Sequence, residues 1–482
     1  MAQSHNMTEN VANVLASRYA STELVDIWCE RGKVLYEREF WIAVLKAQRD
    51  LGVNFPDDVI SAYEDVKDQI NLESIRQREI ITRHDVKARI DEFCDLAGHE
   101  HIHKGMTSRD LTDNVEQFQI LQSLKLLAPK YVFLLDCLRQ RSQEWQDLVV
   151  VGRTHHAAAQ PTTLGKRIAM FGQEMLLAFS RLEQLIERYP LRGLQGAVGT
   201  GLDQLTLLDG NVEKLSKLQQ NIVSHLGFQA QLNAVGQIYP RSLDFEVVSC
   251  LYQLGGGVAN LARTLRLMAG AEVATEGFLD GQVGSSAMPH KMNTRSSERI
   301  NGLEVVLSGY VQMTAGLVGD QWFEGDVSCS VVRRVAIPDA FFALDGIIET
   351  SLHVVDEMGI YPVPLQRELD KFMPFLATTT LLMQSVQRGA GREHVHEAIR
   401  EHAINAALKM RQGENTSSQD LINNLGLDER IPLTISEIKD ILSRSHDFVG
   451  VATNQVDSFS EKVEGLVRQY PQAKDVEKNR LL

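Results

Sequence analysis

The chain has 482 residues, is 44% hydrophobic, and carries Lys+Arg 49 against Asp+Glu 63 for a net charge of −14. That length exceeds one small core and predicts two or three domains, while so acidic a balance disfavours nucleic-acid binding through the bulk field. Five scattered cysteines without a Cys-x-x-Cys argue against a disulfide framework or zinc cluster, and a polar Met1–Asn10 with no long apolar run predicts neither signal peptide nor membrane span, hence a cytoplasmic protein.

In chain order, a polar, His-rich stretch ends at Gly105-Met106-Thr107-Ser108. Val115, Phe118, Leu121, Leu124, Leu134, Leu135 and Leu138 then predict a helix over about 113–145, with a kink at Pro129. Leu148-Val149-Val150-Val151-Gly152 reads as a short strand and Thr154-His155-His156 as a connector. Ile168, Phe171, Met175, Leu176, Phe179, Leu182 and Leu185 predict a helix over about 163–188. Leu205-Thr206-Leu207-Leu208 is the second strand candidate. No proline lies between Pro240 and Pro289, and Val247, Val248, Leu251, Leu254, Val258, Leu261, Leu265 and Met268 form a helical stripe there. Gly255-Gly256-Gly257 interrupts it; each glycine costs up to ~1 kcal/mol against alanine, so this helix is expected to be buried with another backbone close by. A fourth helix follows Ser297, and Ile360-Tyr361-Pro362-Val363-Pro364 breaks the pattern again.

Long helices with matching apolar stripes must bury them on one another, which predicts an all-α protein around a helical bundle, with stripes broad enough to pair with other subunits. The expected divisions are an N-terminal helical domain over 1–110, a central long-helix domain over 111–361, and a C-terminal helical domain over 362–482.

Titratable residues gather in the connectors: Arg83-His84-Asp85, Thr107-Ser108-Arg109-Asp110, Thr154-His155-His156, Glu298-Arg299 and Arg333-Arg334. Singly, each has a plain role. Thr107-Ser108 ahead of Asp110 suits a helix N-cap, and Asp85 suits an ion pair with Arg83 or Arg89. His155-His156 lacks carboxylates or cysteines at chelating spacing, so no metal is expected. No dinucleotide, P-loop or nucleophile-elbow motif occurs, so no cofactor is expected either. Gly284-Ser285-Ser286-Ala287-Met288-Pro289-His290-Lys291-Met292-Asn293 fits two readings. It is a solvated linker, or a loop that brings a serine oxygen beside a cation. Hydroxyls, histidines and arginines on connectors suit proton abstraction beside a carboxylate.

That decapeptide resembles the G-S-S-x-M-P-x-K-x-N signature of the fumarase/aspartase superfamily, in the form typical of its adenylosuccinate-lyase branch. Ser17-Arg18-Tyr19-Ala20-Ser21, Arg83-His84-Asp85-Val86, Thr107-Ser108, Thr154-His155, Gly236-Gln237-x-Tyr239-x-Arg241 and Ser330-x-x-Arg333-Arg334 are similar, in order, to that branch's other site segments. The resemblance spans residue 17 to at least 334. It implies a fumarate-releasing C–N lyase without cofactor or metal, acting on adenylosuccinate and the succinyl-aminoimidazole-carboxamide ribotide (SAICAR) of purine biosynthesis. It also implies a homotetramer whose sites, within the signature loop 282–296 and beyond, are built from three subunits. The implied roles are Ser285 as general base, Lys291 as its stabiliser, His155 as general acid and Glu298 as the carboxylate that orients it. Arg18, Tyr19, Arg83, His84, Asp85, Thr107, Ser108, Gln237, Asn293, Arg299, Ser330 and Arg334 are the implied substrate contacts.

The chain departs from the pattern at Ala157, where members carry glutamine, at Met292-Asn293-Thr294 for Arg-Asn-Pro, and at Gly325 for an arginine. A sister lyase for argininosuccinate, malate, aspartate or a carboxymuconate, and a non-catalytic scaffold of the same fold, are the alternatives.

Overall fold

A computed structural model describes residues 11–277, 288, 290–414 and 417–477. Six helices form the N-terminal part: α1 (Val14–Arg18), α2 (Thr22–Trp28), α3 (Glu30–Asp50), α4 (Val59–Val66), α5 (Leu72–Thr82) and α6 (Asp85–Ala97). The central part holds α7 (Ser108–Glu144), the strands β1 (Val149–Thr154) and β2 (Ala157–Thr163), α8 (Leu164–Arg188), β3 (Pro190–Leu191), α9 (Leu202–Leu207) and α10 (Val212–His225). It continues with β4 (Ala230–Gln231), α11 (Ser242–Gly270), β5 (Ala274–Thr275), α12 (Arg295–Ala315), α13 (Cys329–Glu357) and β6 (Gly359–Ile360). The last part is α14 (Pro362–Leu376), α15 (Thr378–Gln387), α16 (Arg392–Arg411), α17 (Ser418–Leu427), α18 (Ile435–Ser443) and α19 (Ala452–Gln469). The fold is all-α; its strands make only three two-stranded ladders among the described residues.

One apolar core joins α7, α8, α11, α12 and α13, and α19 returns to it through Val456, Phe459 and Val463. The expected helices are present with small shifts at their ends, and α7 runs through Pro129 without a break. The glycine run is explained by close packing. A Cβ on Gly257 would lie 3.2 Å from the Phe171 carbonyl of α8, and one on Gly255 would lie 2.2 Å from a Glu304 oxygen of α12. Helix directions follow from side-chain bonds. Asn301 donates to the Ala259 carbonyl at 2.9 Å while Glu304 sits at Gly255, so α11 and α12 are antiparallel. Arg241 pairs with Asp113 and Tyr131 donates to the Leu254 carbonyl, so α7 and α11 run the same way.

Two expectations fail. Leu205–Leu208 is not a strand: Leu205, Thr206 and Leu207 end α9 and Leu208 is its C-cap. Four residues are too few to show a period, and here a tertiary contact decides. The buried Gln204 donates to the Lys104 and Gly105 carbonyls, both at 2.8 Å, and accepts from Gln48, fixing a helical turn on the 104–105 segment. The connector at Thr154-His155-His156 is instead the tip of a hairpin, in which Thr154 pairs with Ala157.

Among the described residues, no helix is long and apolar enough to cross a membrane.

Candidate active site

The residues singled out from the sequence fall into three groups on the single chain. The first gathers where α6, α7 and α13 begin. Arg83 is the C-cap of α5 with φ 53°, a left-handed conformation that a non-glycine residue adopts at a cost of about 1–2 kcal/mol. That reversal sets His84 as the N-cap of α6, its Nδ1 accepting from the Lys87 amide at 3.2 Å. A neutral ring in that state carries its proton on Nε2, which faces the Ser108 hydroxyl at 3.4 Å. Asp85 pairs with Arg89 at 2.9 Å. Burial alone would raise its carboxyl, but the Arg89 guanidinium holds it below the usual range.

Thr107 opens α7 as its N-cap, and its amide donates to Asp110 at 2.9 Å. Asp110 is fully buried, and its other oxygen accepts from Arg192 at 2.6 Å and from the Gln195 and Gly196 amides at 3.0 Å. One residue earlier in the helix, Arg109 donates to the Ser330 hydroxyl at 2.7 Å and pairs with Asp113 at 3.1 Å. Asp113 also takes Arg241 at 2.9 Å, while Arg333 pairs with Asp244 at 2.7 Å and with Glu116. The Tyr239 hydroxyl donates to Asp244 at 2.6 Å and accepts from Arg333. Three arginines and three carboxylates (Arg109, Arg241 and Arg333 with Asp113, Glu116 and Asp244) thus form one mostly buried network beneath this group, with the buried Arg192–Asp110 pair beside it. Reading by sequence named Arg241 and Arg333 through motifs and Arg109 only as part of a titratable connector; it gave Asp113 and Asp244 no part in a buried network, because carboxylates inside a helix stripe look like exposed charge.

Gln237 belongs to this end too. Its amide donates to the Glu324 carbonyl at 2.7 Å, and the chain passes so close that a Cβ on Gly236 would meet that oxygen at 2.2 Å. Gly325 has φ 135°, and a Cβ there would lie 2.8 Å from Ile238. An arginine therefore does not fit this backbone, which accounts for that departure. Arg334 is exposed on the second turn of α13, whereas its neighbour Arg333 is buried.

The second group is the hairpin. His155 and His156 have φ 51° and 63°, so both occupy the central positions of a two-residue turn that normally takes Asn-Gly. Both side chains are exposed. Arg153 donates to the His156 carbonyl at 3.2 Å and pairs with Glu368 of α14. A cleft of about 680 Å³ flanks the turn, lined by Arg153, His156, Arg167, Arg266, Gly270 and Glu368 among others, which puts the hairpin beside the end of α11.

The third group surrounds the start of α12. Ser285 lies outside the described residues, as do 282–284, 286, 287 and 289 of the signature loop. Lys291 is exposed and its amide donates to the Met288 carbonyl at 3.0 Å; Asn293 is half-buried. Glu298 is exposed in the first turn of α12. The Arg299 guanidinium lies 5.6 Å from the centre of the Tyr19 ring, so these two are brought together, with Arg18 exposed just before Tyr19. No set of three or more His, Cys, Asp or Glu that could hold a metal ion occurs among the described residues.

The first and second groups do not meet. Ser108 opens α7, and the hairpin follows its far end; 37 residues at 1.5 Å each separate the two ends by about 55 Å.

Residues 21–309 match the family model described as Lyase, and residues 374–459 match Adenylosuccinate lyase C-terminus. The chain is 32% identical to the adenylosuccinate lyase of Schistosoma mansoni over 96% of its own length and 97% of that protein. It is also 32% identical to the Saccharomyces cerevisiae adenylosuccinate lyase, over 94% and 95% of the two chains. Among solved structures, a 3-carboxy-cis,cis-muconate lactonizing enzyme from Pseudomonas putida superposes with TM-score 0.80 at 19% identity, covering 94% of this chain and 100% of that one. A fumarate lyase from Mesorhizobium gives TM-score 0.78 at 18% identity, covering 94% and 100%. At such identities these two speak for the fold alone. With near-complete coverage by relatives that share about a third of its residues, the chain belongs to the adenylosuccinate lyase family.

Proposed function

We propose that the protein is a lyase that splits adenylosuccinate into AMP and fumarate, and that it also releases fumarate from SAICAR. The supporting observation is likeness over the whole length to adenylosuccinate lyases, in a chain that retains Ser285, Lys291, His155 and Glu298.

In this reading the Ser285 alkoxide, stabilised by Lys291, removes a proton from Cβ of the succinyl group. The electron pair passes first into the adjacent carboxylate, giving an aci-carboxylate. It then returns to form the C=C bond of fumarate as the C–N bond breaks. His155 supplies the proton that the departing nitrogen takes, and Glu298 orients its ring. Arg18, Tyr19, Arg83, His84, Asp85, Thr107, Ser108, Gln237, Asn293, Arg299, Ser330 and Arg334 bind the phosphate and carboxylates, whose charge calls for arginine forks and N–H donors. In this reading the net charge of −14 is a property of the outer surface rather than of the site.

The same reading makes the working unit a homotetramer in the cytoplasm. Because α7, about 55 Å long, puts Ser108 at one end and leads into the His155 hairpin only after the other, a site that uses both is expected to draw them from different copies. Met170 and Leu177 on α8, Leu267 on α11 and Val305, Val306 and Met313 on α12 are exposed apolar residues that a second copy would cover. The division into domains at about 110 and 362 is likewise a proposal. It is supported by helix starts at Ser108 and Pro362, and by a separate apolar cluster over Leu381–Ile441.

The direct test is the absorbance change on adding adenylosuccinate to the wild type and to His155→Ala. Activity in the wild type, lost in the variant, is expected; an inert wild-type tetramer would sink the proposal. Mixing Ser285→Ala with His155→Ala, each inactive alone, should restore part of the activity. No recovery from two folded tetrameric variants would remove the shared site.

A further inference from the structure

Glu276 follows the β5 strand and is almost wholly buried, with 7% of its surface exposed. It has no place among the site residues, and it carries a charge that burial penalises unless donors meet it. Three do. The Ser296 amide donates to one of its oxygens at 2.8 Å, and the Ser297 amide and hydroxyl donate to the other at 2.9 and 3.0 Å. These are the second and third residues of α12, where backbone amides have no partner within the helix. Thr294, the N-cap itself, makes no side-chain cap bond. The first turn of this 21-residue helix is therefore satisfied by a carboxylate brought from another element, at the end where the helix dipole favours negative charge.

Glu276 is itself rigidly mounted. Thr275 pairs with Gly359 in the β5–β6 ladder, which closes the end of α13. Gly277 has φ 97°, and a Cβ there would lie 2.6 Å from the Glu357 Cβ and 2.9 Å from its carbonyl. Thr275 on one side of Glu276 is thus tied to β6, just past α13, and Gly277 on the other lies against the last turn of α13. Glu298 and Arg299 follow directly on the turn that Glu276 grips.

We infer that Glu276 is a positioning residue: its carboxylate pins the first turn of α12 to the end of α13, and so sets where Glu298 and Arg299 stand in the active site. The inference rests on the proposed lyase reading for its kinetic consequence, but not for the clamp itself. Glu276→Gln keeps the volume and replaces an acceptor oxygen with an NH2 that faces an amide donor.

Two readouts separate the possibilities. Hydrogen exchange of the amides at 295–299 should quicken in Glu276→Gln on the order of 10-fold or more while the rest of the bundle is unchanged. With adenylosuccinate, kcat should fall on the order of 10- to 100-fold. The limb of the kcat–pH profile set by the general acid should also move, because Glu298 no longer holds its place; a merely structural residue would lower the melting temperature without moving that limb. Should Glu276→Gln not fold, Ser297→Ala, which removes one of the three bonds, should give the same changes at smaller size. Exchange at 295–299 and a pH profile both equal to wild type would overturn the inference. If the wild type is inert to adenylosuccinate the lyase reading fails, and the exchange result alone then decides the clamp.

Discussion

Arg153 donates from Nη1 to the His156 carbonyl at 3.2 Å, and through its other terminal nitrogen pairs with Glu368 of α14. The hairpin that carries His155 is thus braced by the C-terminal part of the chain. Glu368→Ala should lower kcat about 10-fold by freeing the turn. Stability should change by about 1 kcal/mol or less, since the pair is partly exposed. Steady-state kinetics beside a denaturant titration checks this, and an unchanged kcat would show that the turn holds itself.

The turn stores strain. A left-handed conformation costs a non-glycine residue about 1–2 kcal/mol, whereas glycine's extra freedom when unfolded costs about 0.5–1 kcal/mol. The first term is larger, so His156→Gly should stabilise the fold by roughly 0.5–1 kcal/mol. His155→Gly should gain similarly but abolish activity. Chemical denaturation and the adenylosuccinate assay together separate the two positions.

Asp113 is fully buried between Arg109 and Arg241, with Arg333 nearby. Burial alone would raise its carboxyl; the guanidinium groups of Arg241, Arg333 and Arg109 outweigh that and hold it below its ordinary value. A depressed folded-state value contributes stability above the unfolded carboxylate value near ~3.9, lost as pH falls through the folded one. Asp113→Asn removes the buried carboxylate that Arg109 and Arg241 share and should cost about 3–5 kcal/mol at neutral pH. Melting curves should show the variant's deficit shrinking only in strong acid. A deficit that closes already near neutral pH would mean that another group is responsible.

Glu304 behaves oppositely. Burial, and then the neighbouring Glu174, push its carboxyl up to about 7 against a countering Arg263. A raised acid is penalised when ionised, so its cost is full above pH ~7 and disappears as pH falls toward the unfolded value near ~4.3. Glu304→Gln should therefore raise the melting temperature at pH 8 and leave it nearly unchanged at pH 5. Equal gains at both values would argue against the titration.

The bundle was legible because its helical repeat is sustained over many turns. Val247 through Met268 repeat over six turns, and the structure carries α11 across the same stretch. The run at Leu205 had no such length, and Gln204 on the 104–105 carbonyls decided it. Site residues were visible only through family-like motifs, since a lone Thr-His or Ser-Arg has no period at all. Their supports were not visible. Asp113 and Glu276 matter for what they touch, 128 and 21 residues away in Arg241 and Ser297, and local composition holds no record of that.

The sequence by itself determined the all-α class, the long central helices and the family, and it pointed to the side chains proposed to carry the chemistry, because periodicity and motif are local properties of the chain. Tertiary structure alone decided that His155 sits on a strained hairpin, that four arginines are neutralised beneath the Ser108 end, and that Glu276 caps α12. It also decided that Ser108 and the segment leading to the His155 hairpin stand at opposite ends of α7. The physical reason is that these depend on the direction and length of packed helices, and a rigid α7 fixes a distance that no pattern of residues expresses.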